Sequence, residues 1–245
     1  MTYIISTITD KSILMASDSR LNYHDEETDS QTGDRYQVIK ATADCIRKTF
    51  IINPLNIGIQ FIGIGYFFDN DEKYPLSHFI PNLANNINQQ DSMRTKFEKI
   101  YSSIKKLTEI GNTGQYVNGV ITGYENKTAY ISTFNTFIDQ FSFDAYNDVY
   151  VESEWTVEQR PHERNEAITY INSKITQISN RSPEDVGGPI EILEINPDGS
   201  NSWVQQNDSI FEGSLSELIS RFNNDITSIN GKFLNPPVKK RINLK

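Results

Sequence analysis

The sequence predicts an α+β fold in which two antiparallel sheets lie between layers of helices. Three observations support this prediction: pairs of short β-rich segments separated by turns, stretches in which apolar residues recur every three or four positions, and the lack of any linker-like stretch. The 245 residues are 37% hydrophobic and 22% charged, which is typical of an ordinary folded domain. We therefore expect residues 1–245 to form a single domain.

The amino-terminal segments are predicted to form a hairpin followed by a loop. Residues 3–9 and 13–17 are short β-rich runs on either side of a polar turn. The next segment begins with a run of acidic and polar residues that shows no hydrophobic period. We therefore expect an acidic, solvent-exposed loop insertion at about residues 22–46.

The middle of the chain predicts two further strand pairs and one long helix. Strands are expected at about 49–53 and 57–64, separated by an Asn-Pro break, because proline cannot donate to a sheet ladder. Apolar residues recur at helical spacing through Met93–Ile110, which predicts a helix with one buried face. Residues 117–124 and 127–136 are rich in β-branched and aromatic side chains and predict a hairpin.

The last third of the chain predicts a helix, a strand pair and a final helix. The second helix is expected from Pro161 to near Asn180, followed by a strand at 189–195 that turns back to a partner around Trp203. Ser214 and Glu217 have the spacing of a capping box, which predicts the start of the last helix. The Lys/Arg-rich tail from about residue 236 is expected to fray.

Charge and cysteine content exclude several classes of function. The formal net charge of −9 disfavours attraction to nucleic acid or to an anionic membrane surface. Cys45 is the single cysteine, so the chain can form neither an internal disulfide nor a thiolate zinc cluster. The amino terminus lacks the features of a signal peptide, and we expect a cytoplasmic protein without a membrane span.

The common catalytic motifs are missing from the sequence. There is no dinucleotide-binding glycine fingerprint, no phosphate-binding loop and no nucleophile elbow. The three histidines, His24, His78 and His162, are scattered, and the last lacks the second histidine of a zinc-protease helix. We therefore expect neither a metal nor an organic cofactor.

One remaining nucleophile is Thr2. Removal of Met1 would make it the first residue, so that its hydroxyl and a free α-amine would belong to the same residue. An α-amine has a pKa of ~7.7–8.0 and can act as the general base for a threonine hydroxyl. The alternative is that position 2 merely tolerates a small residue.

The residues after Thr2 resemble the start of proteasome β-subunits and their bacterial ring-forming relatives, the N-terminal-threonine (Ntn) hydrolases. The resemblance is carried by the segments Ile13–Arg20 and Arg47–Pro54, and more weakly by the Gly-Gly-strand-Asp-Gly pattern of residues 185–199. It implies a four-layer αββα sandwich. It also implies that Thr2 is the nucleophile, and that Asp18 supports Lys48, whose positive charge favours ionisation of the hydroxyl.

For the supporting roles, the resemblance leaves more than one candidate residue. Because residues 22–46 exceed the length of the corresponding family segment, Lys40 competes with Lys48 for the lysine role. The oxyanion-hole glycine is expected near Gly63, although an ungapped count from Lys48 reaches Ile62. Other supporting candidates are Ser19, Ser182, Asp185 and Ser153. Val186 stands where the family has an amine-orienting serine.

The resemblance implies a peptidase that forms an acyl-enzyme ester, which water hydrolyses or an amine captures in transpeptidation. The alternative from another class is a noncatalytic ring-forming or scaffold subunit of the same fold. Either protein is expected to form homo-oligomers, with the Met93–Ile110 helix near a contact. If the carboxylates of the segment at 22–46 flank the site, they favour basic substrates; if the segment is remote, they have no such effect.

Overall fold

A computed structural model describes residues 3–63, 66–110, 117–145, 150–152 and 161–242. In chain order, its elements are β1 (Ile4–Ile8), β2 (Ile13–Ser17), β3 (Leu21–Thr28), β4 (Arg35–Ala43), β5 (Thr49–Ile52), β6 (Ile57–Gly63), β7 (Tyr66–Asp69), β8 (Glu72–Pro75), α1 (Leu76–Leu83), α2 (Met93–Glu109), β9 (Val117–Glu125), β10 (Thr128–Asn135), β11 (Gln140–Ala145), β12 (Tyr150–Glu152), α3 (Arg164–Arg181), β13 (Glu191–Ile195), β14 (Asn201–Gln205), α4 (Leu215–Asn224), a short 3-10 helix (Ile226–Ile229) and β15 (Gly231–Arg241).

The first sheet has the strand order β12-β1-β2-β13-β14, and its strands pair antiparallel. The predicted hairpin at its centre is confirmed, with Ile4 opposite Ser17 and Ile8 opposite Ile13. Alternate residues of β1 point to opposite faces, as the period of a strand requires. Ile5 packs toward the apolar face of α3, whereas Ile4 packs toward residues of β9 and β10. Because both faces of these strands are covered, every residue of β1 and β2 is buried.

The second sheet has the strand order β11-β10-β9-β6-β5 and is also antiparallel. The predicted strand pairs at 49–64 and 117–136 are confirmed as β5–β6 and β9–β10. One face of this sheet packs against α1 and α2, whose buried residues include Phe79, Phe97 and Ile104. Its other face contributes Val120 and Ile131 to the apolar cluster that it shares with the first sheet. The prediction of helices combined with antiparallel sheets is confirmed.

The third sheet corrects two expectations. The segment expected to be an irregular loop forms the hairpin β3–β4, with its turn between Thr28 and Arg35. Of the tail expected to fray from residue 236, residues 236–241 belong to β15. The strand order is β15-β4-β3. The strands are joined by backbone pairing, and carboxylates of the β3–β4 hairpin also pair with cations of β4 and β15 on this sheet. These ion pairs join Asp25 to Lys40, Glu26 to Arg35, Glu27 to Lys239 and Asp34 to Arg241.

The three predicted helices correspond to α2, α3 and α4 to within a few residues. The second predicted helix begins at Arg164 rather than Pro161, because the side chain of Glu163 caps it. The predicted capping box of Ser214 and Glu217 is present at the start of α4. No helix in the described part of the chain is long and apolar enough to cross a membrane. The sequence patterns missed β7, β8, α1, β11 and β12.

Candidate functional site

Asp18 lies at the end of β2, and its carboxylate is fully buried. One carboxylate oxygen, Oδ1, accepts hydrogen bonds from the backbone N–H of Tyr3 at 2.9 Å and from Lys48 Nζ at 2.8 Å. The other oxygen, Oδ2, accepts the backbone N–H of Arg20 at 3.2 Å and that of Gly187 at 3.3 Å. Four donors from four parts of the chain therefore converge on one carboxylate.

Lys48, which immediately precedes β5, is the cation of this site. Its side chain is 7% exposed and makes an ion pair with Asp18. Its carbonyl accepts the N–H of Phe61, which fixes its backbone to β6. The competing residue, Lys40, lies on β4 with its side chain 44% exposed, and it pairs with Asp25. The structure therefore brings Lys48, and not Lys40, to Asp18.

The surroundings of Asp18 have opposing effects on the pKa of its carboxyl group. Burial is the largest effect and raises the pKa of the Asp18 carboxyl above its ordinary value. The positive charge of Lys48 and the N–H donors of Gly187 and Arg20 oppose this effect by stabilising the carboxylate. A carboxylate buried in this way depends on its donors, so the ion pair and the turn that supplies Gly187 belong to one structural unit.

The turn at Gly187 and Gly188 closes the site from the side of β13. Gly188 has a φ of 76° and therefore favours glycine, whereas a Cβ on Gly187 would lie 2.5 Å from Arg20 Cζ and would displace the end of that side chain. Ser19 binds this turn twice: its N–H donates to the Gly187 carbonyl at 3.1 Å and its hydroxyl to the Pro189 carbonyl at 3.0 Å. Arg20 is held by both carboxylate oxygens of Asp44.

Three other predicted supporting residues lie at the end of α3, in the turn after it and at the end of β6. Ser182 ends α3, and its carbonyl accepts the N–H groups of Asp185 and Val186. Asp185 pairs with Lys240 of β15 and accepts a 3.3 Å hydrogen bond from the side chain of Asn22. Gly63 is the last residue of β6.

Val186 is fully buried in the apolar cluster beneath α3, which suits an apolar side chain. Thr2 and Ser153 lie outside the described residues.

A second buried ion pair beside Lys48 was missed by sequence reasoning. Arg47 Nε donates to Glu191 Oε1 at 3.1 Å, and the guanidinium of Arg47 lies over the ring of Trp203. Burial raises the pKa of the fully buried Glu191 carboxyl. The signal was present in the sequence, because a carboxylate in the apolar strand at 189–195 requires a cationic or hydrogen-bonding partner.

A cavity of about 450 Å³ opens beside the ion pair, and Lys48 contributes to its wall. The rest of the wall comes mainly from the start of β3, from Phe50 and Phe61 of the second sheet, and from the apolar face of α4. This volume falls in the range of ~300–1,000 Å³ that is usual for small-ligand sites. The charged pair therefore adjoins a space that can accept an apolar group.

Two further observations concern the cysteine thiol and groups of metal-binding side chains. Burial raises the pKa of the Cys45 thiol to about 12, which leaves little of the reactive thiolate at neutral pH. Across residues 3–63, 66–110, 117–145, 150–152 and 161–242, no three His, Cys, Asp or Glu side chains come together in a way that could hold a metal ion.

Comparison with known proteins finds a similarity of the fold. No model of a protein family and no curated protein matches the chain. Among solved structures, the chain is similar to the Gly-1 mutant of Anbu from Hyphomicrobium sp. strain MC1, a proteasome-like bacterial protein. The two share 12% sequence identity and a TM-score of 0.57 over 85% of this chain and 89% of Anbu. At this identity, the similarity concerns the fold.

Proposed function

We propose that the protein is an N-terminal-threonine hydrolase that cleaves peptides with Thr2, after removal of Met1, and that its sheets and helices form the four-layer αββα sandwich of that class. The observation that carries the proposal is the shared acceptor at Asp18. Its Oδ1 atom binds both Lys48 Nζ and the N–H of Tyr3. That N–H belongs to the peptide bond joining Tyr3 to Thr2, so the buried ion pair adjoins the peptide group that follows the nucleophile.

In the proposed reaction, the hydroxyl oxygen of Thr2 attacks a peptide carbonyl carbon and its proton passes to the α-amine. Lys48 supplies the positive charge that favours the developing alkoxide, and Asp18 holds Lys48 in place. The tetrahedral oxyanion accepts the N–H of Gly63. When the C–N bond breaks, the leaving amine takes the proton and an ester on Thr2 remains. Water then attacks this ester, releases the acid and restores the hydroxyl.

Labelling with a peptide epoxyketone tests this proposal. Intact-mass spectrometry first establishes whether Met1 has been removed, because a retained Met1 blocks the amine and contradicts the proposal. We then expect one adduct on Thr2, no adduct on Thr2→Ala, and a restored adduct on Thr2→Ser. Lys40→Ala changes the lysine that does not contact Asp18 and should be labelled like the unmodified protein. An adduct on Cys45 alone would indicate accidental thiol reactivity.

The second candidate is a noncatalytic subunit of the same fold. It is favoured by the number of backbone donors to Asp18, since three N–H groups and a lysine also describe a purely structural anchor. Val186, at the position of an amine-orienting serine in the resemblance, favours it as well. An unlabelled protein that has lost Met1 would support this candidate. Both candidate functions predict a homo-oligomer, and a ring is one form that it can take.

A further inference from the structure

A chain of hydrogen-bonded polar side chains lies between the two large sheets, beside the apolar cluster that they share. The side-chain N–H groups of Gln60 donate to the Ala16 carbonyl at 2.8 Å and to Thr49 Oγ1 at 2.9 Å. The side-chain oxygen of Gln60 accepts the hydroxyl of Ser6 at 2.6 Å. The hydroxyl of Thr49 in turn donates to Ser17 Oγ at 2.9 Å. These bonds join β1 and β2 of the first sheet to β5 and β6 of the second.

The four side chains of this network are fully buried, which makes their hydrogen bonds important for the packing of the sheets; they belong to Ser6, Ser17, Thr49 and Gln60. A buried amide or hydroxyl costs free energy unless it is hydrogen-bonded. In Gln60, both side-chain N–H groups and the oxygen have partners, so the amide is held in one orientation. The network therefore specifies the position of each strand that it joins, which an apolar contact of the same volume does less precisely.

The network ends beside the ion pair of the candidate site. Thr49 directly follows Lys48 in the chain, and Ser17 directly precedes Asp18. The hydrogen bond between the two hydroxyls therefore joins the same stretches of backbone as the 2.8 Å ion pair next to it. The residue before Lys48 is also tied to the first sheet, by the second buried ion pair. Lys48 is thus the middle one of three consecutive residues that are anchored on the first sheet.

We propose that Ser17, Thr49 and Gln60 are positioning residues that form an inter-sheet clamp and hold the backbone of Lys48 where its ammonium group can stay on Asp18. A lysine side chain is long and flexible, so the ion pair fixes its charged end, whereas the clamp fixes the backbone from which it extends. The consequence for catalysis rests on the proposed function, in which this charge must lie beside the threonine hydroxyl. The clamp residues act through Lys48, so their loss should slow the bond-forming step and leave substrate binding unchanged.

Competitive acetylation with a trace of acetic anhydride measures the accessibility of Lys48 without any turnover. Mass spectrometry reads each lysine separately, and the exposed Lys40 serves as the internal reference. In the unmodified protein, Lys48 should react at least about tenfold more slowly than Lys40, because it is buried and paired. Thr49→Val keeps the shape of the side chain but removes its hydroxyl, and should accelerate acetylation of Lys48 by about fivefold or more. An unchanged rate would overturn the proposal.

Two further threonine variants distinguish the clamp from a general loosening of the fold. Thr49→Ser keeps the hydroxyl and should leave Lys48 as protected as in the unmodified protein. Thr122→Val is the matched control, because Thr122 is also fully buried between the sheets but its hydroxyl contacts the sulfur of Met15. It should not accelerate acetylation of Lys48. Equal acceleration in Thr49→Val and Thr122→Val would assign the effect to lost stability and overturn the proposal.

Ser17→Ala removes the other end of the same hydrogen bond and keeps the proposal testable if Thr49→Val fails to fold. It should accelerate acetylation of Lys48 by a similar factor. The double variant Ser17→Ala with Thr49→Val should accelerate it no further, because the bond between the two hydroxyls is lost only once. Effects that multiply in the double variant would show that the two hydroxyls act separately, and would overturn the clamp.

Epoxyketone labelling of Thr2 then tests the link between the clamp and the reaction. Thr49→Val should lower the maximal labelling rate by about tenfold or more and leave the half-saturating concentration within about twofold, whereas Thr49→Ser should restore the rate. A protein that shows the expected acetylation pattern but never labels at Thr2 retains the clamp and rejects the hydrolase. Labelling of Thr2 that is equally rapid in Thr49→Val and the unmodified protein retains the hydrolase and rejects the clamp.

Discussion

Replacing Lys48 by methionine should destabilise the folded protein strongly. Methionine keeps most of the volume of the side chain but removes its charge, which leaves the carboxylate of Asp18 fully buried with its backbone donors and no cation. Removing one partner of a buried pair typically costs ~3–5 kcal/mol, because the remaining charge is uncompensated. We therefore expect the free energy of unfolding to fall by about that amount.

Urea denaturation followed by circular dichroism measures this change. The midpoint should fall while the slope stays constant, since the surface exposed on unfolding is unchanged. Lys40→Met is the matched control, because the Lys40–Asp25 pair is exposed and screened by solvent, and its midpoint should barely move. A Lys48→Met midpoint equal to that of Lys40→Met would refute the idea that the ion pair organises the site.

The double variant Asp18→Asn with Lys48→Met separates the charge effect from packing. Asparagine removes the buried negative charge, so the double variant should be more stable than Lys48→Met alone. Additive effects of the two substitutions would mean that the two side chains are energetically independent despite the 2.8 Å contact. Because Lys48 also stabilises the fold, a loss of activity in Lys48→Met is interpretable only at temperatures where the variant is shown to be folded.

Three further predictions follow from single residues. In the native protein, Cys45 should react with iodoacetamide at pH 8 more than about a hundredfold more slowly than in urea. Because the folded pKa of this thiol, about 12, exceeds its unfolded value, the stabilisation linked to it is full below about pH 8.5 and disappears as the pH rises toward 12. Cys45→Ala should abolish this pH dependence. Tyr66→Phe should preserve or raise the urea midpoint, because the buried hydroxyl has no hydrogen-bond partner among the described residues. Phe137→Glu with Ile138→Glu should dissociate a homo-oligomer in sedimentation velocity, because these side chains are 73% and 58% exposed beside α2; a monomeric unmodified protein would contradict this prediction.

Local patterns predicted the elements whose stability depends on one buried face. The Met93–Ile110 periodicity and the capping box at Ser214 each specify a helix from neighbouring residues alone, and both agree with the structure. The β3–β4 hairpin was missed because the outer half of β3 is exposed on both faces and shows no alternation. The third strand of this sheet, β15, lies about 190 residues further along the chain. A local pattern in the hairpin therefore could not reveal the strand that stabilises it.

In the candidate site, too, some features could be predicted from the sequence and others depend on long-range pairing of strands. Asp18 and Lys48 were found through a resemblance, but neither residue type nor spacing indicates that the donors to Asp18 include the N–H groups of Tyr3 and Gly187. These contacts depend on β13 pairing beside β2, which brings the Gly187 turn next to the end of β2. A buried carboxylate can therefore be predicted from sequence more readily than the donors that make its burial tolerable.

Pairing between distant residues also weakens the electrostatic field of the acidic segment. Read locally, the carboxylates between Asp25 and Asp34 predict a negative field that would attract basic substrates. In the fold, four of the five are paired with cations, and Asp29 accepts backbone N–H groups of its own turn. Opposite charges that are paired on one small sheet leave mainly dipoles, whose field decays faster than that of a net charge and is screened further by salt. The acidic segment therefore offers little long-range attraction to a basic ligand, although its composition alone predicts one.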